Sequence, residues 1–295
     1  MSDSPAISVI VPLLDEERNI AQLLSEIDQS LTTASMSYEV ILVDDGSTDG
    51  TWNAIKQASR ADDRVRGIRL RRNFGKTAAL AVGLRESVGE IIVTIDGDLQ
   101  DDPSEIPRLV KEVQSGTDLV TGWKRIRHDP WTKRLASAVF NAVSRRATGV
   151  SLHDMNCGLK AGLREAFEAV PLHGELHRYI PALSLSQGFS IGEVPVNHRP
   201  RQYGRSKFGF ERFLRGLLDL FTVLTLTRWA GRPGHLYGGV GIAAGLVGFA
   251  ILLGLTIDKL VGGAPIGDRP LLPLGVLLVM IGVQLVSLGM VAELI

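Results

Sequence analysis

Two acidic residues at the end of an apolar run are the clearest chemistry in the chain. In TIDGDLQDDP (94–103) the run ends at Asp96, and Asp98 and Gln100 follow at alternate positions. Carboxylates leaving a strand end can hold a hard divalent cation, and Mg²⁺ or Mn²⁺ commonly bridges one or two of them to a phosphate. A diphosphate leaving group needs such neutralisation. An isolated D-x-D is more often a solvated acidic turn. Here the apolar strand before it and three companion motifs favour the metal. VDDGSTDGT (43–51) ends a second strand in Asp44 and Asp45. A carboxylate at that point can accept hydrogen bonds from a base or a ribose hydroxyl. Ser47, Thr48 and Asp49 are also helix-capping types, and both readings can hold at once. In VPLLDEERNI (11–20) Pro12 ends a first strand. Glu16 and Glu17 fall in the first turn of a helix, a placement the helix dipole accounts for by itself. In RRNFGKTAAL (71–80) Gly75 permits close backbone approach, and Lys76 can meet a phosphate as a point charge.

These motifs need a scaffold that brings strand ends together. Apolar runs at 7–13, 39–43, 91–95 and 118–121 read as strands. Helical spacing lies between them, clearest in Ile20, Leu23, Leu24, Ile27 and Leu31, and looser in Leu80, Val82, Gly83 and Leu84. Alternating strands and helices predict an α/β fold with a predominantly parallel sheet, which binds ligands beyond the carboxyl ends of its strands. Residues 133–147 form an amphipathic helix. A longer one, 208–230, has the spacing of a helix lying in a lipid interface.

Lys and Arg total 32, as do Asp and Glu. That balance excludes a general nucleic-acid binder, which carries a basic excess. The single Cys157 excludes an intrachain disulfide. The first apolar run, AISVIVPLL, is short and β-branched and lacks a basic leader, so it reads as a strand rather than a secretory signal. Residues 236–257 and 271–292 contain no Asp, Glu, Lys or Arg. Each is 22 residues long, enough to cross a bilayer core of roughly 30 Å as a helix. Residues 258–270, rich in Gly and Pro, form the turn between these spans. Arg212, Arg215, Arg228 and Arg232 precede the first span, whereas the turn has only Lys259 and Arg269. The positive-inside rule then puts the large domain in the cytoplasm. The expected organisation is a catalytic domain at 1–205, interface helices at 206–235 and a transmembrane hairpin at 236–295. Homo-oligomerisation is left open.

The ordered set V-P-L-L-D-E, D-D-G-S-T-D-G-T, R-N-F-G-K and D-G-D-L-Q-D-D-P resembles glycosyltransferase family 2. Within it, the chain is most similar to the dolichyl- and polyprenyl-phosphate glycosyltransferases, including bacterial members with two C-terminal spans. The resemblance covers nearly the whole chain. It implies a Rossmann-like GT-A fold, an inverting reaction, a Mg²⁺ or Mn²⁺ requirement, a nucleotide-sugar donor, a polyprenyl phosphate acceptor and a place in a bacterial or archaeal inner membrane. By matching motif it puts Pro12, Leu14, Glu16 and Asp44 on the nucleoside, with Asp45 and Lys76 in the same donor site. It puts Asp96, Asp98 and Gln100 on metal and diphosphate. Leu14 stands where the family often has a tyrosine.

GWKRIRHDPWTKRLAS (122–137) resembles the family's acceptor-binding stretch, which makes Arg125, Lys133, Arg134 and Ser137 candidates for the lipid phosphate. YGRSKFG (203–209) adds Arg205 and Lys207. HDMNCGLKA (153–161) matches the segment carrying an acidic residue, Asp154, which joins Asp98 as a catalytic candidate. A phosphate monoester is largely ionised at neutral pH, its second pKa being about 6. Asp154 is therefore expected to organise the acceptor pocket rather than act as an obligatory base. His153, His177, His198 and His235 have no metal-ligand spacing and read as structural. The expected donor is a nucleotide hexose, UDP-glucose first, with GDP-mannose and UDP-linked amino sugars behind it. Two rivals are weighed. A processive polysaccharide synthase carries Q-x-x-R-W, but here Thr225 replaces the Gln before Arg228 and Trp229, and two spans are too few for a channel. A catalytically silent membrane scaffold does not explain the intact Asp96, Asp98 and Gln100.

Overall fold

The structure is a computed structural model. It describes residues 5–125, 141–200 apart from 143 and 147, residues 222, 223, 225 and 227, and 233–294 apart from 264, 266 and 268. The chain divides into two compact units, Met1–Val223 and Leu224–Ile295.

The first unit is built on a seven-stranded sheet: β1 (Ile7–Leu13), β2 (Tyr38–Asp44), β3 (Val65–Arg69), β4 (Ile91–Thr94), β5 (Leu119–Lys124), β6 (Lys160–Leu163) and β7 (Ile191–Val196), in the order β3-β2-β1-β4-β6-β5-β7. The pairings β1–β2, β1–β4, β2–β3 and β5–β7 are parallel. β6 runs antiparallel to both β4 and β5, the one reversed strand in a sheet that is otherwise parallel, as predicted. β1 is flanked by the strands that follow it in opposite directions along the sheet, which opens a crevice at its carboxyl end.

The strands are apolar because both faces are covered. β1 and β2 are buried almost throughout. Helix α1 (Ile20–Thr33) buries Ile20, Leu23, Ile27 and Leu31, the predicted stripe, in the main core with Val9, Leu42 and Ile106. α2 (Thr51–Ala61) contributes Ile55 to that core. On the opposite face α3 (Lys76–Glu86) buries Ala79, Leu80, Gly83 and Leu84. A Cβ on Gly83 would strike the Ile10 side chain, so the glycine sets how closely α3 approaches the sheet. α4 (Ile106–Gln114), α5 (Arg164–Glu168) and α6 (Ile180–Ser186) complete this unit's named helices. The predicted helix 133–147 lies outside the described residues except for helical positions at 141, 142 and 144–146. The predicted helix 208–230 lies outside them except at 222, 223, 225 and 227.

The second unit is a pair of helices, α7 (Pro233–Gly262) and α8 (Leu271–Glu293), both long and apolar enough to cross a membrane. The predicted spans lie within them. α7 runs past the expected turn at 258 to Gly262, and Asp258, now on its last turns, pairs with Arg269. The two helices meet through glycines at seven-residue intervals. Gly275, Gly282 and Gly289 are buried on α8, facing Gly248, Gly241 and Gly234 on α7. A Cβ on Gly282 would lie 2.6 Å from the Gly241 carbonyl oxygen, and one on Gly248 would lie 2.7 Å from that of Gly275. Small residues at this spacing let membrane helices pack backbone to backbone. The outer faces expose Ile242, Leu246, Phe249, Met280 and Val283, side chains that a lipid environment solvates and water does not.

Candidate active site

The acidic motifs converge where the topology predicts. β1, β2 and β4 end side by side, delivering the 13–17 loop, Asp44–Asp45 and Asp96–Gln100 to one edge of the sheet. The first two loops are zipped together. The Asp15 N–H donates to Ser47 Oγ at 2.9 Å, Thr48 N–H to Asp15 Oδ1 at 2.8 Å, and Glu16 N–H to Thr51 Oγ1 at 2.8 Å. Asp49 accepts from the Thr51 N–H at 2.9 Å. The turn reading of 47–49 is thus realised and the same turn frames the site, whereas the helix N-cap falls on Gly50, which has no side chain to cap with.

Asp44 is fully buried at the end of β2. It accepts from the Ser47 N–H at 2.8 Å, and Arg69 Nε lies 3.3 Å from its other oxygen. Asp45 accepts the Phe74 and Gly75 N–H groups at 2.7 and 2.9 Å. Burial raises its pKa in spite of those bonds. Its carboxylate therefore anchors the 73–75 loop and so presents Lys76, the first residue of α3. Gly75, at φ +96°, supplies the backbone conformation this turn requires. Pro12 lies within β1 opposite Val43, and Leu14 is half-buried just beyond.

Lys76 is ion-paired with Asp96. Burial would raise the Asp96 pKa, but the charges of Lys76 and Lys124 and the Lys76 hydrogen bond overcome it and hold this carboxyl well below the usual range. Gly158 packs directly on it: a Cβ there would lie 2.6 Å from Asp96 Cγ and Oδ1. Asp98 accepts from the Gln100 N–H at 3.2 Å, with Leu99 between them at φ +61°. The Gln100 carbonyl accepts from the Arg199 N–H at 2.8 Å, and Asp101 forms a β-bridge with His198. The turn that carries Asp98 is therefore tied to the segment after β7. No group of three or more His, Cys, Asp or Glu side chains forms a ready-made metal cluster among the described residues. Asp96, Asp98 and Gln100 instead offer only oxygen donors from one turn, which fits Mg²⁺ or Mn²⁺ completed by diphosphate and water rather than an all-protein cage.

A second layer of ionisable groups lies around Asp96, and sequence reasoning missed it. Burial pushes Lys160, on β6, down to about 8, and its ammonium bonds the Cys157 carbonyl. Asp96 and Asp154 are among the charges that act on it. Lys124 lies 2.6 Å from buried Asp101; burial opposes its charge, but Asp101 raises its pKa on balance. Burial raises the Cys157 thiol to about 12, leaving it inert. His177 bonds Thr77 at 2.7 Å, and burial, then Lys76, holds its pKa well below the ordinary value. Its spacing reads as structural, yet it sits beside the Lys76–Asp96 pair. Its only sequence signal was its neighbour Arg178, equally buried.

Asp154 is buried in an irregular segment before β6. Arg125 is exposed at the end of β5 and lines a cleft of about 350 Å³ with Arg108, Asn197 and His198. Lys133, Arg134, Ser137, Arg205 and Lys207 lie outside the described residues.

The model of the glycosyl transferase family 2 matches residues 8–170. The chain is 40% identical to the dodecaprenyl-phosphate galacturonate synthase of Rhizobium johnstonii, over 98% of this chain and 87% of that protein. It is 34% identical to the undecaprenyl-phosphate 4-deoxy-4-formamido-L-arabinose transferase of Aeromonas hydrophila, over 99% and 89%. Among solved structures, glucosyl-3-phosphoglycerate synthase from Mycobacterium tuberculosis, crystallised with Mn²⁺ and UDP-glucose, has the same fold. It aligns at a TM-score of 0.57 and 23% identity, over 76% of this chain and 79% of that one. The motif order, the strand-end carboxylates and these likenesses agree: the chain belongs to glycosyltransferase family 2.

Proposed function

We propose that the chain transfers a sugar from a nucleotide-sugar donor to a polyprenyl phosphate at the cytoplasmic face of a membrane, with inversion at the anomeric carbon. The observation that carries this reading is the convergence of Asp44, Asp96 and Asp98 with Lys76 at the crevice beside β1, in a chain whose relatives, 34–40% identical, are polyprenyl-phosphate sugar transferases. Asp44, Pro12, Leu14 and Glu16 would take the nucleoside. Asp96, Asp98 and Gln100 would hold Mg²⁺ or Mn²⁺, which when bound neutralises the leaving diphosphate. Asp45 would keep Lys76 in place beside it. The lipid phosphate attacks in line, and the basic residues Arg125, Lys133, Arg134, Arg205 and Lys207, with Ser137, would receive it. The arginines before α7 support the cytoplasmic orientation, and 1–205, 206–235 and 236–295 would divide the work into catalysis, interface and anchor.

UDP-glucose is not the sugar that the relatives' names carry. A nucleotide-linked hexuronate, as in the Rhizobium relative, therefore goes first in a donor screen, followed by amino sugars, UDP-glucose and GDP-mannose. The experiment incubates the purified protein with undecaprenyl phosphate and each radiolabelled donor, with and without chelator. Metal-dependent label in a monoglycosylated lipid is the expected result. A polymer, or no transfer from any donor, would overturn the reading.

A further inference from the structure

Asp154 has no helix or strand to hold it, so something else must fix its direction. The candidate is Glu193, on β7. Its carboxylate is 11% exposed and accepts from both consecutive amides of the segment. The His153 N–H donates to Oε1 at 2.9 Å and the Asp154 N–H to the same oxygen at 2.8 Å. Oε2 meets His153 Nδ1 at 2.8 Å. The His153 ring is also stacked on Trp123 of β5, with centroids 4.1 Å apart. Trp123 and Glu193 come from paired strands, in register Thr121–Glu193 and Trp123–Pro195, so a rigid part of the sheet grips His153 by its ring and its backbone together. At the other end the same segment is pinned by the Thr94 hydroxyl donating to the Gly158 carbonyl at 2.8 Å. A loop held at both ends presents Asp154 in one orientation without secondary structure of its own.

We propose that Glu193 is a positioning residue for transfer, acting through Asp154 by clamping the 153–154 amides. This rests on the functional reading above, in which Asp154 borders the acceptor. What the clamp requires is reach, not charge. In Glu193→Gln the remaining oxygen can still take both amides, and the new amide N–H can donate to Nδ1 of a neutral imidazole, so that only the longer His153 N–H contact to Oε2, at 3.1 Å, is lost. Glu193→Asp keeps the charge but draws it back by one methylene, beyond hydrogen-bond distance. Glu193→Gln should therefore keep transfer within about threefold, while Glu193→Asp and Glu193→Ala lose about tenfold to a hundredfold in kcat, the scale of a misplacement of about 1 Å at a reacting centre.

The test is a double-mutant cycle on the full-length protein, with amide hydrogen exchange measured on each variant. Glu193→Ala should lose activity in the wild-type background and change little more in Asp154→Ala, because its effect passes through that residue. Exchange at 153–154 should accelerate in the Ala and Asp variants and stay slow in Gln. An equal loss in both backgrounds, or Gln behaving like Ala, overturns the proposal alone. Full activity of Asp154→Ala overturns the role given to Asp154 and the proposal with it. Unchanged exchange at 153–154 in Glu193→Ala overturns the clamp whatever the activity shows.

Discussion

Gly158→Ala tests whether Asp96 is the carboxylate on which donor binding depends. The new methyl carbon would lie 2.6 Å from Asp96 Cγ and Oδ1 and 2.7 Å from Oδ2. Ordinary contacts of that kind begin near 3.4 Å, so the overlap is about 0.8 Å, and something must move. Overpacking of this size costs about 1–3 kcal/mol. The Asp96 side chain is one-third exposed and the Gly158 backbone is pinned by Thr94, so the carboxylate yields more easily than the loop. If the cost falls on the metal-binding geometry, it weakens metal-dependent donor binding by about 5- to 150-fold, with little change in melting temperature. Gly162→Ala is the control. Its methyl would meet Leu119 Cδ1 at 2.6 Å and the Asp118 carbonyl at 2.8 Å, a similar overlap inside the sheet, and it should lower stability without touching metal affinity. The assay is calorimetric titration of Mn²⁺ and nucleoside diphosphate into both variants, beside thermal unfolding in the same detergent. Wild-type metal affinity in Gly158→Ala would refute the argument.

Lys160→Met should lower transfer at least tenfold, because it removes a buried cation whose charge Asp96 and Asp154 both favour. Wild-type transfer in this variant would remove Lys160 from the site. His177, kept neutral by burial, refuses a proton that the unfolded chain accepts near pH 6.5. Stability should therefore fall as pH drops below about 6.5, by up to about 1.4 kcal/mol per pH unit. His177→Gln should flatten that limb in urea titrations at pH 5 and 7, and an unchanged acid limb would count against it. Gly282→Leu should push α8 off α7 at the Gly241 carbonyl and lower the melting temperature of the full chain, whereas Gly254→Leu, at an open position, should not. Equal effects would remove the glycine interface.

The sequence spoke clearly where one physical constraint dominates. β1, β2 and β4 are buried almost throughout, as are the first four residues of β5, and so read as mainly apolar runs. The two long apolar helices were legible because each carries 22 residues without a charge, as a membrane crossing requires. β3, β6 and β7 were missed for opposite reasons. β3 is an edge strand, half-exposed in VRGIR, and β7 alternates in IGEVPV. β6 contains a lysine and a glycine because it passes beside the site. The acidic half of the site was legible because carboxylates at strand ends have few structural uses in such number. The cationic half was not: Lys124 and Lys160 sit in strands, as does the acidic Glu193, and in a strand a charged residue ordinarily signals solvent exposure. Only the tertiary pairing shows that Lys160 is buried next to Asp96's neighbourhood and that Glu193 turns back to clasp a loop 40 residues away.

On the proposed reaction, that cationic half follows from Coulomb's law. A diphosphate and a lipid phosphate, both anionic, must be brought to within bonding distance of one sugar carbon. Two unit charges 4 Å apart repel by about 4 kcal/mol at an effective dielectric near 20, and each partner carries more than one. Five carboxylates, Asp44, Asp96, Asp98, Asp101 and Asp154, would add to that repulsion if left uncompensated. The fold sets a cation beside three of them, Arg69 for Asp44, Lys76 for Asp96 and Lys124 for Asp101, and the charges of Asp96 and Asp154 both act on buried Lys160. Proton abstraction is the lesser need, because the acceptor oxygen is already ionised near neutral pH. A carboxylate beside that acceptor is then tolerable only if its charge is spent on a cation. On the proposed reading, Asp154, buried and held through its backbone N–H by the Glu193 carboxylate, serves to keep Lys160's charge in the site rather than to take a proton from the acceptor.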